Sequence, residues 1–236
     1  MNYYKFGRAL EQIKKNGKPG RLYPWAYVKG DAEHFFINEG VNGIRIYEYA
    51  LTDNVPVLDH FYLRESVRNK INDWILLDLY GLSAINIQGS AYLVSPKLRD
   101  LIEQFEISQP YRFYPAKLLY QGEKLDYFLF QFGSFTHPNY AESSYKFKQK
   151  EVFFKGDSLD ILEEMDFLKK ANKCYAEGDM MTYAKMVFDN QYDLFITYQC
   201  KLISARMKEA LEQANISGIW YQELKDFTVG FLNPLF

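Results

Sequence analysis

The sequence predicts an α+β fold in which helices pack against a largely antiparallel sheet. The first supporting observation is an internal repeat, because residues Tyr92 to Ser108 and Lys201 to Ser217 follow one pattern in register. The second is the aromatic content: 20 Tyr and 19 Phe in 236 residues favour strands, where aromatic side chains pack well. Each copy of the repeat has the pattern of a strand, a capping serine and a helix. The identical positions are Leu93/Leu202, Ser95/Ser204, Glu103/Glu212, Gln104/Gln213, Ile107/Ile216 and Ser108/Ser217.

Each copy begins with a short β-rich run that ends at a serine. The runs and their serines are Ala91 to Val94 with Ser95, and Phe195 to Ile203 with Ser204. A serine hydroxyl at this position accepts a hydrogen bond from a free backbone N–H of the first helical turn. Pro96 follows Ser95 at the first helical position, where its missing N–H costs nothing. Both serines are therefore predicted to be helix N-caps.

Apolar residues recur in both copies at i, i+3, i+4 and i+7, which is the spacing of one helix face. They are Leu98, Leu101, Ile102 and Phe105 in the first copy, and Met207, Ala210, Leu211 and Ala214 in the second. Each copy therefore predicts a helix with one buried stripe. Together with the identical positions, this pattern predicts a duplicated strand-cap-helix unit.

Extended chain is predicted after each helix. In the first copy, Tyr111 to Tyr120 and Leu125 to Phe132 flank a turn that contains Gly122, a pattern typical of a hairpin. In the second copy, Gly218 is expected to adopt a positive φ and to end the helix. Two short strands should follow it, Ile219 to Leu224 and Phe227 to Phe231.

The N-terminal part, residues 1–89, is predicted to hold two helices and four strands. The helices are Phe6 to Lys15 and Glu65 to about Leu79. The strands are Phe35 to Ile37, Gly43 to Leu51, Val55 to Tyr62 and Ala84 to Gln88. Because no Ser, Gly or Pro-rich linker divides the chain, residues 1–236 are predicted to form one domain. Within it, repeated units at 90–135 and 193–236 flank an insert at 136–192.

The insert contains an unusual segment, Tyr145 to Lys155, in which Lys146, Lys148 and Lys150 alternate with Tyr145, Phe147 and Gln149. A strand there would carry ammonium groups on one face and aromatic rings on the other. One interpretation is an edge strand whose lysines prevent sheet-to-sheet aggregation. The other is a basic stripe for an acidic partner, with Lys146, Lys148 and Lys150 as the candidate partner-binding residues.

The rest of the insert, about Ser158 to Asn190, is predicted to be helical. Asp157 or Ser158 caps a first helix, which Glu177-Gly178-Asp179 separates from a second helix at Met180 to Phe188. The apolar residues expected to face inward on the first helix are Leu159, Leu162, Met165 and Ala171.

Composition and hydropathy argue against several functional classes. The net charge of −2 and the lack of a strongly basic domain argue against nucleic acid as the main partner. No run of about 18 apolar residues could span a membrane. The first residues contain no apolar segment of signal-peptide length, so a cytoplasmic protein is expected. Cys174 and Cys200 lack a C-x-x-C spacing and are expected to be reduced thiols.

The sequence contains no recognisable catalytic signature. His34, His60 and His137 lie far apart and lack the spacing of a zinc site. Asp59 and His60 would point to opposite faces of a strand, which favours a surface pair over an acid–base pair. G-x-S-x-G, P-loop and G-x-G-x-x-G motifs are absent, and spacing neither locates nor excludes a glycosidase-type carboxylate dyad. We therefore predict no catalytic residue, no cofactor and no metal site.

Both repeats carry a family resemblance. In the second repeat it rests on Asp193-Leu194-Phe195, Ile203-Ser204, Met207-Lys208, Leu211 and Ile216-Ser217-Gly218-Ile219. These residues resemble the closing motif of a bacterial immunity-protein family, the myxobacterial type once catalogued as a domain of unknown function. The family's middle segment is similar to Val94-Ser95, Leu98, Leu101 and Phe113-Tyr114-Pro115. The resemblance covers about residues 90 to 236, and Met207 and Ser217 depart from the family's usual Leu and Thr.

The resemblance implies a protein that binds and neutralises a toxin made by the same or a sibling cell, without catalysis. The partner is then expected to be a cognate toxin domain, encoded by an adjacent gene. Two alternatives come from other classes. One is a hydrolase with unrecognised carboxylates in an aromatic-lined cleft, and the other is a carbohydrate-binding module with several exposed aromatic rings in one groove.

Overall fold

A computed structural model describes residues 2–8, 12–13, 19–20, 26–28, 51, 53, 57–63, 76–82, 91–148 and 150–233. These residues form an α+β fold of sixteen strands and three α-helices. The strands are β1 (Tyr3–Arg8), β2 (Gln12–Ile13), β3 (Pro19–Gly20), β4 (Ala26–Val28), β5 (Leu58–Leu63), β6 (Leu79–Gly81), β7 (Ala91–Val94), β8 (Tyr111–Tyr120), β9 (Glu123–Phe132), β10 (Ser144–Phe147), β11 (Lys150–Lys155), β12 (Met181–Asn190), β13 (Leu194–Ile196), β14 (Lys201–Ser204), β15 (Ile219–Glu223) and β16 (Thr228–Asn233). The helices are α1 (Pro96–Ile102), α2 (Glu164–Ala176) and α3 (Ala205–Gln213), and Asp157–Leu159 is a 3₁₀ turn.

The largest sheet has six strands in the order β4-β5-β8-β9-β7-β6. All of its neighbouring strands are antiparallel except β5 and β8. The predicted hairpin is confirmed as β8 and β9, which pair along their whole length from Tyr111↔Phe132 to Tyr120↔Glu123. Gln121 and Gly122 connect them with φ values of 52° and 88°, and two successive positive φ angles are what a type I′ hairpin turn requires.

The second sheet has the order β13-β14-β1-β15 and is antiparallel throughout. Its side chains alternate between two hydrophobic cores. Phe6, Leu194 and Ile203 belong to the core that also contains α1 and α3, whereas Tyr3 and Phe195 belong to the core beneath α2. Residues of this sheet are therefore buried on both faces.

The third sheet has the order β11-β10-β12-β16, with β12 and β16 parallel. Helix α2 packs on it through Phe167, whose ring stacks on Tyr183 at 4.9 Å and on Tyr145 at 5.6 Å between centroids. A small two-stranded sheet of β2 and β3 completes the described structure.

Each repeat contains a strand and a capped helix, and this strand pairs antiparallel with the strand that precedes it in the chain. Strands β6 and β7 lead through Ser95 into α1, and β13 and β14 lead through Ser204 into α3. Ser95 and Ser204 have φ/ψ of −69°/159° and −72°/158°, and each hydroxyl accepts from a backbone N–H of the first turn at 3.2 Å. The two predicted N-caps are confirmed.

An aspartate at the start of each hairpin binds the capping serine. Ser95 Oγ donates to Asp78 Oδ1 at 2.7 Å, and Ser204 Oγ donates to Asp193 Oδ1 at 2.6 Å. The backbone N–H of each serine also donates to the backbone carbonyl of the same aspartate, at 2.8 Å in both cases.

The other carboxylate oxygen of each aspartate binds the segment that follows the helix of the other unit. Asp193 Oδ2 accepts from Glu106 N at 3.0 Å, after α1. Asp78 Oδ2 accepts from Ser217 N at 2.8 Å, after α3. The two units are therefore tied together in both directions.

The helix predicted at Phe6 to Lys15 is wrong for those of its residues that the structure describes. Tyr3–Arg8 is the strand β1, and Gln12–Ile13 is also a strand. Strand β1 lies inside its sheet between β14 and β15, so long-range pairing decides its conformation over local periodicity. The helix predicted at Glu65 to Leu79 does not reach Leu79, which begins β6.

The predicted strand at Val55 to Tyr62 corresponds to β5. Most of the remaining N-terminal predictions lie outside the described residues. These are the strands at 35–37 and 84–88, residues 43–50 of the strand predicted at Gly43 to Leu51, and residues 65–75 of the second helix.

The insert also differs from its prediction. Tyr145 to Lys155 is a hairpin of two strands and not a single strand. Met181–Asn190 is the strand β12, where a second helix was expected, because it pairs with both β10 and β16. The first helix of the insert begins at Glu164 and not after Asp157 or Ser158, so Leu159 and Leu162 precede it. Leu162 and Met165 are exposed, whereas Leu159 and Ala171 face the core as predicted, together with Phe167 and Cys174.

Candidate functional site

The main candidate site is an open cleft of about 890 Å³, where the second and third sheets meet. We call it the lysine cleft. It is lined by Lys5, Lys146, Phe147, Lys148, Phe153, Met180, Thr182, Tyr183, Gln199, Cys200, Asp226 and Phe227. These residues come from β1, the β10–β11 hairpin, β12, the turn between β13 and β14, and the loop before β16.

The cleft has an excess of positive charge. Three ammonium groups, those of Lys5, Lys146 and Lys148, line it together with a single carboxylate among the described lining residues, that of Asp226. Lys5 Nζ lies 3.1 Å from Asp226 Oδ2. Lys146 Nζ donates to the backbone carbonyl of Asp226 at 2.6 Å.

The same cleft offers apolar contact area. Tyr183 and Phe227 are buried at its base, whereas Phe153 is 67% exposed and Met180 is 49% exposed at its rim. Phe153 and Lys146 are cross-strand neighbours, so an aromatic ring and an ammonium group lie side by side at the entrance. Such a surface suits a partner that carries both carboxylates and apolar side chains.

One wall of the cleft is a tight turn organised by Thr197. The Thr197 hydroxyl accepts from Gln199 N at 3.3 Å and from Cys200 N at 3.1 Å, and it donates to the Cys200 carbonyl at 3.0 Å. These bonds order the backbone of the turn that carries the exposed residues Tyr198 and Gln199. Burial raises the pKa of the Cys200 thiol, which disfavours the thiolate that a cysteine nucleophile needs.

The predicted lysine stripe is only partly brought together. Lys146 lies in β10, Lys148 in the connection after it, and Lys150 begins β11, with its side chain outside the described residues. Lys146 is on an inner strand, so aggregation at a sheet edge does not explain it. Sequence reasoning missed Lys5 and Asp226, because only long-range strand pairing brings them to the site.

A smaller cavity of about 40 Å³ adjoins the cleft. Its lining includes Tyr183 and Gln199, which also line the cleft, together with Tyr198 and Leu168. His137 also lines it, and His137 Nδ1 lies 3.5 Å from Glu164 Oε2. Glu164 is the first residue of α2, so this pair lies at the start of the helix.

Other predicted candidates do not assemble into a catalytic arrangement. Asp59 pairs with Lys124 at 2.7 Å, and the side chains of His34 and His60 lie outside the described residues. In the described part of the chain, no group of three or more His, Cys, Asp or Glu side chains is placed to hold a metal ion. Within the same residues, no helix is long and apolar enough to cross a membrane.

Four aromatic side chains are exposed among the described residues. Phe153, Tyr175, Tyr198 and Trp220 lie on four different parts of the fold. Among the described ring contacts, none joins two of these four.

Comparison with known proteins does not assign the chain to a family. Neither the protein-family models nor the curated proteins contain a match to it.

Proposed function

We propose that this protein binds and neutralises a cognate bacterial toxin domain encoded by an adjacent gene, and that it does so without catalysing a reaction. The proposed binding site is the lysine cleft. One observation carries this proposal: three lysines and exposed apolar side chains meet in one open cleft of a chain whose net charge is −2.

Charge supports partner binding at the cleft. A positive cleft on a chain that is negative overall concentrates attraction at one place on the surface. Such complementarity speeds the encounter with an acidic surface and suppresses wrong partners. The exposed Phe153 and Met180 supply the apolar contact that binding interfaces need near their centre.

The scaffold supports the same proposal through the two repeated units. We infer that they are copies of one hairpin-cap-helix unit. Each has an aspartate, a serine N-cap and a helix in the same order, with nearly identical cap dihedral angles. Asp193-Leu194 and Ser204, which carry the resemblance to the immunity-protein family, occupy positions in this unit that match Asp78-Leu79 and Ser95.

The test is co-expression with the toxin domain from the adjacent gene, followed by size-exclusion chromatography of the two purified proteins. We expect protected cells and a stable complex. Loss of both would overturn the proposal. Protection without a complex would contradict the binding mechanism and would favour an enzyme that acts on the toxin or on its product.

A further inference from the structure

We infer that the docking surface extends from the lysine cleft over Gln199 onto an apolar ridge formed by Met165, Leu168 and Tyr198. The segment that it takes is an acidic stretch of the partner followed by a bulky apolar side chain. This inference rests on the proposed function and specifies the chemistry of the partner.

The two halves of this surface are continuous. Gln199 and Tyr183 line both the lysine cleft and the smaller cavity, which Leu168 and Tyr198 border on its other side. Gln199 is exposed, whereas Tyr183 is buried beneath it. A partner segment that leaves the lysine cleft on the side of the small cavity therefore passes over Gln199 and reaches the ridge.

The ridge is not needed to cover the core of this chain. Helix α2 packs inward through Phe167, Ala171 and Cys174, whereas its ridge residues Met165 and Leu168 lie outside this buried face. Met165 is 54% exposed, Leu168 38% and Tyr198 80%. Contiguous apolar groups of this kind at a surface mark interaction sites more often than isolated ones do.

Charge favours one direction of the bound segment. Lys5, Lys146 and Lys148 attract carboxylates to the cleft end. At the ridge end, the Glu164 carboxylate lines the small cavity beside Leu168 and repels further negative charge. The acidic part of the segment therefore binds in the cleft, and its apolar part binds over the ridge.

The turn between the two halves is held in place before binding. Thr197 makes three hydrogen bonds within the turn that carries Tyr198 and Gln199. The Tyr198 ring also contacts Phe135 edge-on, at 5.9 Å between centroids. A surface that is ordered beforehand loses less conformational entropy when a partner binds.

Methionine methyl groups report on each part of this surface separately. Met180 lines the cleft, Met165 lies on the ridge, and Met207 is buried in the core that contains α1 and α3. The experiment is a titration of the full chain, labelled with ¹³C at the methionine methyls. The probe is a synthetic peptide of about ten residues, long enough to span both parts, with glutamates in its first half and Phe and Leu in its second. A control peptide has lysine in place of each glutamate.

We expect the Met180 and Met165 resonances to shift together with one dissociation constant, while the Met207 resonance does not shift. The lysine peptide should shift neither the Met180 nor the Met165 resonance. Tyr198→Ser should weaken binding about fivefold, as loss of one aromatic contact at an interface does. Tyr175→Ser is the matched control and should leave binding unchanged. Tyr175 lies on α2 and is as exposed as Tyr198, but it lines neither the lysine cleft nor the small cavity. An unshifted Met207 resonance shows that each variant is folded.

Three results would overturn the inference. They are a shift of Met180 alone, equal binding of the lysine peptide, and no shift of either resonance at millimolar peptide. None of them bears on whether the toxin complex forms in size-exclusion chromatography, so failure of the inference and failure of the proposed function remain distinguishable.

Discussion

At the scale of single residues, Asp78 and Asp193 each have two roles. Each carboxylate binds the serine that caps the helix of its own unit, and its other oxygen binds the backbone after the helix of the opposite unit. The Asp193 side chain is almost fully buried and also pairs with Arg206. Hydrogen bonds to a charged acceptor of this kind are stronger than neutral ones.

We expect Ser204→Ala and Ser95→Ala each to lower the free energy of unfolding by about 1 to 2 kcal/mol, because each removes an N-cap and a hydrogen bond to a carboxylate. Urea denaturation measures this. Ser158→Ala is the control, since Ser158 is exposed and does not cap an α-helix, and it should change stability by less than about 0.5 kcal/mol. Losses at Ser95 and Ser204 no larger than in the control would contradict their structural role.

At the scale of elements, the sequence predicted the segments whose conformation is set locally. Both serine caps and the β8–β9 hairpin carry their signals in neighbouring residues, and the structure confirms them. Strands β1 and β12 were expected to be helices, at least in part. Each pairs on both sides with strands distant in sequence, and local periodicity contains no information about that pairing.

The β8–β9 turn gives an element-scale prediction. Gly122 has φ of +88°, and a Cβ there would meet no atom within 4 Å, so only backbone strain opposes Gly122→Ala. We expect a loss of about 1 kcal/mol on thermal or urea unfolding. Gln121 also has a positive φ, so Gln121→Asn should stabilise the hairpin slightly, because Asn tolerates this region better. If Gly122→Ala leaves the free energy of unfolding unchanged, the turn does not hold this conformation in solution.

At the scale of the whole molecule, buried tyrosines link stability to alkaline pH. Burial raises the pKa of Tyr140 from 10.0 to about 12, and it raises the pKa values of other core tyrosines further. These others are Tyr3, Tyr80, Tyr127, Tyr145, Tyr183 and Tyr221. The tyrosines of the unfolded chain ionise near pH 10.0, whereas those of the folded chain stay protonated to higher pH. Their contribution to the free energy of unfolding is therefore complete below pH 10.0 and is lost as the pH rises above it.

We therefore expect cooperative unfolding above about pH 10 to 12, with tyrosinate absorbance rising in step with the loss of far-UV circular dichroism. Both signals are recorded in one pH titration. Complete tyrosine ionisation with an unchanged circular dichroism spectrum would contradict the assignment of these side chains to the cores.

The candidate site was predictable only in part. Lys146 and Lys148 were identified because a local alternation marks them in the sequence. Lys5 and Asp226 reach the cleft because β1 lies inside the second sheet and the loop before β16 folds over it. The ridge was missed because Met165 was assigned to the inner face of its helix, whereas the helix is rotated to bury Phe167 instead.

The central claim is that the lysine cleft binds an acidic partner, and the association rate constant with the adjacent-gene toxin domain tests it most directly. Two double variants are compared with the wild type. The cleft variant carries Lys146→Glu and Lys148→Glu. The control variant carries Lys97→Glu and Lys173→Glu, which change the net charge equally at exposed sites outside the cleft. At low ionic strength we expect the cleft variant to associate about tenfold or more slowly and the control to change less than about twofold. Added salt should slow the wild type towards the rate of the cleft variant. Equal rates for the cleft variant and the wild type at low salt would contradict the claim.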